Sequence, residues 1–334
     1  MPTPRILIVK TSSFGDILHA LPLADRLRSG YPDACIDWVV RADLAQLVEG
    51  HPAIDGVIRL ERKSFRAGWE TGRRLRSRGY DLTLDAQGLF FSGWLAWLSG
   101  APRRVGFDWN REGNRWFLTE PVVPAGDRAS MCAKILRLAD HLGIAATPIA
   151  PQRWLAGQDS TVADAHLPAD PRMPIAFVVG ASTPVKTLSR ARWISLARAV
   201  NSQGGLPVLI GGRGEVEIAA AISASAEAVN VVGKTNFLQL AAVLDRCSVV
   251  VGGDTGAIHL AASLGVPVVG LYGPTDPAKS GPDWGSGPAL VLDAAPVDRP
   301  RSFRQAPEGM IDRIPEEQVL EAIADLSGAA RMVP

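Results

Sequence analysis

The 334-residue sequence predicts an α/β protein built as two Rossmann-like halves, their parallel sheets facing a central cleft. Three observations carry that prediction. Short β-branched runs alternate with helical stretches through both halves. The alternation breaks once, in a Pro-, Ala- and Asp-rich stretch over 144–174. Polar or glycine-bearing turns follow several strands, where an open α/β sheet places its ligands.

In order, the apolar run 5–9 reads as a strand and 17–29 as a helix. A strand over 35–40 precedes a short helix over 44–49. Strand 56–60 leads to an arginine-rich helix over 69–78, and strand 82–85 to the apolar helix 89–98. A short strand over 104–106 and a helix over 131–142 close the first half. Alternation resumes with strand 175–179 and helix 191–203. It continues as strand 207–210, helix 215–225, strand 229–232, helix 237–246 and strand 248–251. A helix opening at Thr255 stops at Gly265, a natural C-terminal cap, before strand 268–271. The last helix, over 315–326, carries Glu316 and Glu317 in its first turn, where the helix dipole favours acids. The boundaries are 1–153 for the first domain, 154–173 for a linker, 174–313 for the second domain and 314–334 for a C-terminal helix.

Composition narrows the class. Hydrophobic residues at 47% and charged residues at 21% describe a globular chain with real cores. A net charge of +1 makes no case for nucleic acid. Cys35, Cys132 and Cys247 lie far apart without metal-ligand spacing, which suggests structural thiols in a reducing compartment. The N-terminus runs directly into a strand with no signal-peptide apolar region, and the segment 89–98 is about half a membrane span. A cytoplasmic protein is expected, with room for peripheral membrane contact.

Chemistry is sought in the turns after strands. Val251-Gly-Gly-Asp-Thr-Gly-Ala-Ile-His259 joins a buried strand to a helix, and Asp254 and Thr255 suit an N-cap. Unpaired amides and the positive end of the dipole make such a turn a ready diphosphate site. His259 falls on the same helical face as Thr255. The first turn, Lys10-Thr-Ser-Ser-Phe-Gly-Asp16, matches neither a Walker loop nor G-x-G-x-x-G; it sets Asp16 at a helix start, as a functional carboxylate or as the N-cap. Asp85-Ala-Gln-Gly88 offers either ligand hydrogen bonds or a helix cap. Lys186, closing a turn that begins at Gly180, can approach anionic oxygens. Glu215 could meet sugar hydroxyls or simply open its helix, and Tyr272-Gly-Pro-Thr-Asp276 shapes a further turn. Arg62, Lys63 and Arg66, with Arg73, Arg74, Arg76 and Arg78, form either a solvated basic face or a landing site for an anionic acceptor or lipid. The sequence holds no D-x-D pair and no His/Cys metal set, so no metal ion or cofactor is expected.

Together these turns resemble the heptosyltransferases of lipopolysaccharide core assembly, family 9 of the glycosyltransferases. Lys10-Thr-Ser-Ser-Phe-Gly-Asp-Ile-Leu-His19 looks like the opening motif of the heptosyltransferase I branch. Asp85-Ala-Gln-Gly88, the Lys186 loop, Asp254-Thr-Gly-Ala-Ile-His259 and Tyr272-Gly-Pro-Thr-Asp-Pro277 follow in family order. The resemblance implies a GT-B fold and metal-free, inverting transfer of L-glycero-D-manno-heptose from ADP-heptose to a Kdo residue of lipid A. The working place would be the cytoplasmic face of the inner membrane, with peripheral attachment and no nucleic acid. By the same resemblance Asp16 is the general base. Lys186 with Thr255 and Gly256 steadies the diphosphate, Asp254 and His259 hold heptose or diphosphate, and Glu215 meets the adenosine ribose. Ser13, Gln87, Arg62, Lys63, Arg66 and Arg111 face the acceptor. The C-terminal helix crosses back to the first domain. Two departures stand out: Lys186-Thr-Leu-Ser189 replaces the family's Lys-x-Trp-Pro, and Ser130-Met-Cys-Ala-Lys134 replaces its His-x-x-x-Arg. A related transferase with another nucleotide sugar or acceptor, or a non-catalytic nucleotide-sugar binder, are the alternatives.

Overall fold

A computed structural model describes residues 3–109, 111–126, 129–159, 161–282, 284–300 and 302–330, with Arg111, Phe303, Ala329 and Ala330 described by backbone alone. The chain divides into two compact units, Met1–Pro148 and Ile149–Pro334.

The first unit holds β1 (Arg5–Val9), β2 (Cys35–Arg41), β3 (Gly56–Leu60), β4 (Leu82–Asp85), β5 (Arg103–Phe107) and β6 (Glu120–Val122). They form one sheet in the order β3-β2-β1-β4-β5-β6, every pairing parallel. The second unit repeats the winding with β7 (Met173–Val178), β8 (Gly205–Ile210), β9 (Val229–Asn230), β10 (Val249–Gly253), β11 (Val268–Tyr272) and β12 (Ala289–Asp293). Its order is β9-β8-β7-β10-β11-β12, again parallel throughout. Central strands of such sheets are covered on both faces, so they need apolar side chains without alternation. That explains Ile6, Leu7, Ile8 and Val9, all buried in sequence, and Val249, Val250 and Val251 likewise.

Each sheet reverses its winding once, between β1 and β4 and between β7 and β10. Within each sheet, the carboxyl ends of that strand pair open a crevice of the kind where α/β sheets bind ligands.

One face of the first sheet packs Leu7, Val9, Ile58 and Leu60 against Leu75, Phe91 and Leu95 from helices Phe65–Arg76 and Phe90–Leu98. The second sheet packs Phe177, Val251 and Leu271 against Trp193 and Leu196 of helix Arg190–Ser202. The C-terminal helix, read from sequence as returning to the first domain, supplies Val319, Ala322, Ile323 and Leu326 to this second core through its described part, Glu316–Ala330.

Several elements differ from the sequence reading for local reasons. The stretch read as a linker contains helices Trp154–Gly157 and Thr161–His166, which pack on helix Phe237–Asp245, and the Gln152 amide donates to the Ser263 carbonyl at 2.6 Å. The single helix expected over 17–29 is two, Phe14–Leu18 and Leu21–Gly30, because Pro22 belongs in a first turn rather than a helix interior. Edge strands β6 and β12 were not foreseen. Pro121 sits in β6, which an edge tolerates, and Leu290 and Val291 of β12 stay partly exposed.

Candidate functional site

At the switch point of the first sheet, β1 delivers Lys10–Asp16 and β4 delivers Asp85–Gly88. Ser13 is the N-cap of helix Phe14–Leu18 and Asp16 its third residue, so Asp16 is not the cap itself but the acidic half of a capping box. The Ser13 amide and hydroxyl both donate to Asp16 Oδ2, at 3.1 and 2.9 Å. The carboxylate is thereby fixed in direction beyond the end of β1.

Gln87 braces the same loop. Its Oε1 accepts from the Thr11 and Ser12 amides, each at 3.2 Å. Asp85 is fully buried and uses Oδ1 on its own turn, taking the Gly88 amide at 2.9 Å and the Gln87 amide at 3.1 Å. Burial pushes its pKa up to about 6, against the pull of those amides, Ser92 and Lys10. Burial likewise lowers the Lys10 pKa, with Asp16 and Asp85 opposing. Trp109 closes the turn from above: its Nε1 donates to the Gly88 carbonyl at 3.0 Å. Gly88 has φ +70°, and a Cβ there would meet the indole ring, so glycine is required twice over.

Arg62, Lys63 and Arg66 are exposed where β3 hands over to helix Phe65–Arg76, at the same carboxyl edge of the sheet but two strands from β1. Arg66 pairs with Glu70 at 3.1 Å, and the Lys63 ammonium lies 5.8 Å from the Phe91 ring centre. The Arg111 side chain lies outside the described residues.

The second sheet's switch point gathers a tighter set. Lys186 Nζ donates to Asp254 Oδ2 at 2.8 Å, and His259 Nε2 is 3.2 Å from Asp254 Oδ1. All three side chains are mostly buried. Burial raises the Asp254 pKa, but the His259 hydrogen bond and then Lys186 outweigh it and hold the carboxyl at about 2. Trp284 stacks on the His259 ring, centroids 5.7 Å apart and planes inclined by 14°. Thr255 occupies the N-cap of helix Gly256–Leu264 without a side-chain capping bond, and its buried Oγ1 has no partner among the described residues; the Thr183 hydroxyl is in the same condition. The first-turn amides of that helix are therefore not occupied by their own cap. The close approach depends on glycine, since a Cβ on Gly253 would run into the Lys186 carbonyl.

Glu215 joins this region from β8. It caps its own turn, Oε2 accepting from the Gly212 amide at 2.7 Å, and its carboxylate lies where a Gly180 Cβ would be. Arg299 braces the β11 turn by donating to the Gly273 carbonyl at 2.7 Å. Among the described residues no three His, Cys, Asp or Glu side chains gather in a metal-holding set.

The first unit thus unites Ser13, Asp16 and Gln87, and the second unites Lys186, Asp254, Thr255, Gly256 and His259, with Glu215 against the Gly180 loop. Thr183 and Trp284 escaped the sequence reading. Thr183 could have been found from its place three residues before Lys186, whereas nothing local points from Trp284 to His259.

The depressed Asp254 pKa has a sign. The folded carboxyl titrates below its ordinary 3.8, so its ionised form stabilises the fold above about pH 4, and that stabilisation fades as pH falls toward 2. Asp254→Asn is expected to cost about 2 kcal/mol of unfolding free energy at pH 6. The gap to wild type in urea titrations should narrow by pH 3; an unchanged gap would contradict the ion-pair account.

Comparison with known proteins gives the family. The family model Glycosyltransferase family 9 (heptosyltransferase) matches residues 69–290. Lipopolysaccharide heptosyltransferase 1 of Pseudomonas aeruginosa is 33% identical over 83% of this chain and 81% of its own length. The enzyme of the same name from Escherichia coli K12 is 28% identical over 83% and 90%. Among solved structures, a family 9 glycosyltransferase from Veillonella parvula superposes with a TM-score of 0.85, at 24% identity, over 98% of both chains. E. coli heptosyltransferase WaaC with ADP-2-deoxy-2-fluoro heptose gives 0.73 at 26% identity, over 96% and 99%.

Proposed function

Because the chain belongs to glycosyltransferase family 9, the heptosyltransferases, we propose that it transfers L-glycero-D-manno-heptose from ADP-heptose to a Kdo residue of lipid A in lipopolysaccharide core synthesis. The observation that carries this reading is the Lys186–Asp254–His259 cluster beside the uncapped first turn of helix Gly256–Leu264, at the switch point of the second sheet. A nucleoside diphosphate sugar presents two needs there: positive charge for the diphosphate and hydrogen-bonding partners for hydroxyls. The helix amides and Lys186 meet the first, and Asp254, His259 and Glu215 meet the second.

The reaction is a single displacement at the anomeric carbon. Asp16 takes the proton from the acceptor hydroxyl, the hydroxyl oxygen bonds to the anomeric carbon, and the bond to the diphosphate breaks, releasing ADP with inversion. Charge grows on the departing diphosphate, so fixed positive groups are worth most at that moment. Lys186 and the Thr255–Gly256 turn fill the role a divalent ion fills elsewhere, which supports a metal-free mechanism. Gln87 acts through the loop, pinning Thr11 and Ser12 so that Ser13 and Asp16 keep their aim. Arg62, Lys63, Arg66 and Arg111 receive the acceptor's anionic groups. A lipid-borne acceptor requires working at the inner face of the cytoplasmic membrane; no helix of the described residues is long and apolar enough to cross one.

The test is transfer from ADP-heptose to Kdo-lipid A by the purified protein in EDTA. Undiminished turnover with inversion at the donor's anomeric carbon is expected. ADP binding with no transfer to this acceptor would sink the substrate assignment.

A further inference from the structure

The first unit carries a face that the transfer chemistry does not use. Four aromatic side chains stand out into solvent: Phe65 (70% exposed), Trp69 (54%), Trp97 (48%) and Trp116 (79%). Among the described residues they are all of the strongly exposed large aromatics, and all come from three helical segments of one unit, separated in sequence by β4 and β5. Helix Phe65–Arg76, helix Phe90–Leu98 and the segment Arg111–Phe117 lie side by side. Gly68 and Gly72 of the first sit against Trp94 and Leu98 of the second, and Gly93 of the second against Asn114 and Phe117 of the third. The inward face of the first helix is Gly68, Thr71, Gly72 and Leu75. Helical spacing then groups Phe65, Arg66, Trp69 and Arg73 on one outward arc, since they are three or four residues apart.

The first of these helices and the turn before it are also basic. Residues 61–78 hold seven Arg or Lys against two Glu, a local +5 in a chain whose total is +1. Large apolar groups seldom remain exposed in a cluster without a binding purpose. Indole rings with arginines among them match a lipid headgroup layer, which accepts aromatic rings at its depth and attracts cations to its phosphates.

We propose that this three-element face seats the protein on an anionic lipid bilayer, with the aromatic rings at headgroup level and the arginines on lipid phosphates. The inference deepens the proposed function, which needs a lipid-borne acceptor: Arg66 is shared with the acceptor set, whereas Trp69, Trp97, Trp116, Arg73 and Arg74 lie outside both the acceptor and the donor sets.

The experiment is flotation of the full chain with vesicles of phosphatidylglycerol and phosphatidylcholine, beside vesicles of phosphatidylcholine alone. Wild type is compared with the combined Trp69→Ser, Trp97→Ser, Trp116→Ser variant, and separately with Arg73→Glu, Arg74→Glu. Both variants should bind the anionic vesicles at least about tenfold more weakly, and added salt should weaken wild type in the same direction. ADP affinity and transfer to a short water-soluble Kdo acceptor should stay at wild-type values, which also reports that the variants fold. Equal binding by wild type and the tryptophan variant would overturn the proposal, as would equal binding to neutral vesicles. A wild-type dimer that the tryptophan variant converts to monomer, with no vesicle binding by either, would make the face a contact between copies and overturn it as well. Vesicle binding lost on mutation while wild type fails on every Kdo acceptor would leave docking standing and remove the proposed substrate.

Discussion

Asp16→Ala is expected to lower transfer by at least about a hundredfold, the contribution of a placed general base, while ADP affinity stays at its wild-type value. The second half of that statement rests on the proposed roles, which give the diphosphate to residues of the second unit and leave Asp16 in the first. Asp16→Asn should lose nearly as much activity, because it keeps an acceptor for Ser13 but cannot take a proton. Stability should suffer little in either case. The capping box loses its acidic half, a cost of about 1 kcal/mol in a helix of five residues. Steady-state kinetics beside calorimetric ADP titration separates the outcomes. A variant that transfers normally would remove Asp16 from the chemistry, and one that loses ADP affinity in proportion would make its role conformational.

Lys186→Met is expected to cut kcat by about 10²–10³, the range seen when a group facing developing charge is removed. Affinity for the intact donor ADP-heptose should fall by less, because the charge on the diphosphate grows only as the glycosidic bond breaks. Lys186→Arg should restore little: a guanidinium fork does not fit the place of a compact ammonium 2.8 Å from Asp254 Oδ2 with the Gly253 backbone against the lysine's own carbonyl. Because Lys186 and Asp254 touch, their losses should not add. A double-mutant cycle of Lys186→Met with Asp254→Asn should show a coupling above 0.5 kcal/mol, taken as the order of magnitude for side chains in contact. Strict additivity would mean that the ion pair is not a working unit.

Both sets of residues were visible in the sequence before any coordinate, for a physical reason. The central strands of a parallel sheet are buried on both sides, so β1, β4, β7 and β10 appear as short apolar runs, and the polar residue that ends each run marks the carboxyl edge. Lys10, Asp85 and Asp254, and the glycine Gly180 after β7, mark those edges. Partnerships were not readable. Nothing local says that Gln87 spends its Oε1 on the Thr11 and Ser12 amides, or that Lys186 reaches an aspartate 68 residues away. The edges of the sheets were missed because β6 has three residues, one of them proline, and β12 is only partly covered, so neither shows the apolar signature. Proline and alanine content made 154–173 look like a linker, whereas its short helices are held from outside by helix Phe237–Asp245 rather than by their own propensity.

The position of helix Glu316–Ala330 has a consequence for synthesis. The first unit, Met1–Pro148, contains every strand of its sheet before the second begins, so it can fold while translation continues. The second cannot finish in the same way. Val319, Ala322, Ile323 and Leu326 fill the core over Trp193 and Val251, and they are made after all six strands of the sheet they cover. Until those residues emerge from the ribosome, an apolar face of a completed parallel sheet stands open. A nascent chain at that stage is the natural client of a holding chaperone.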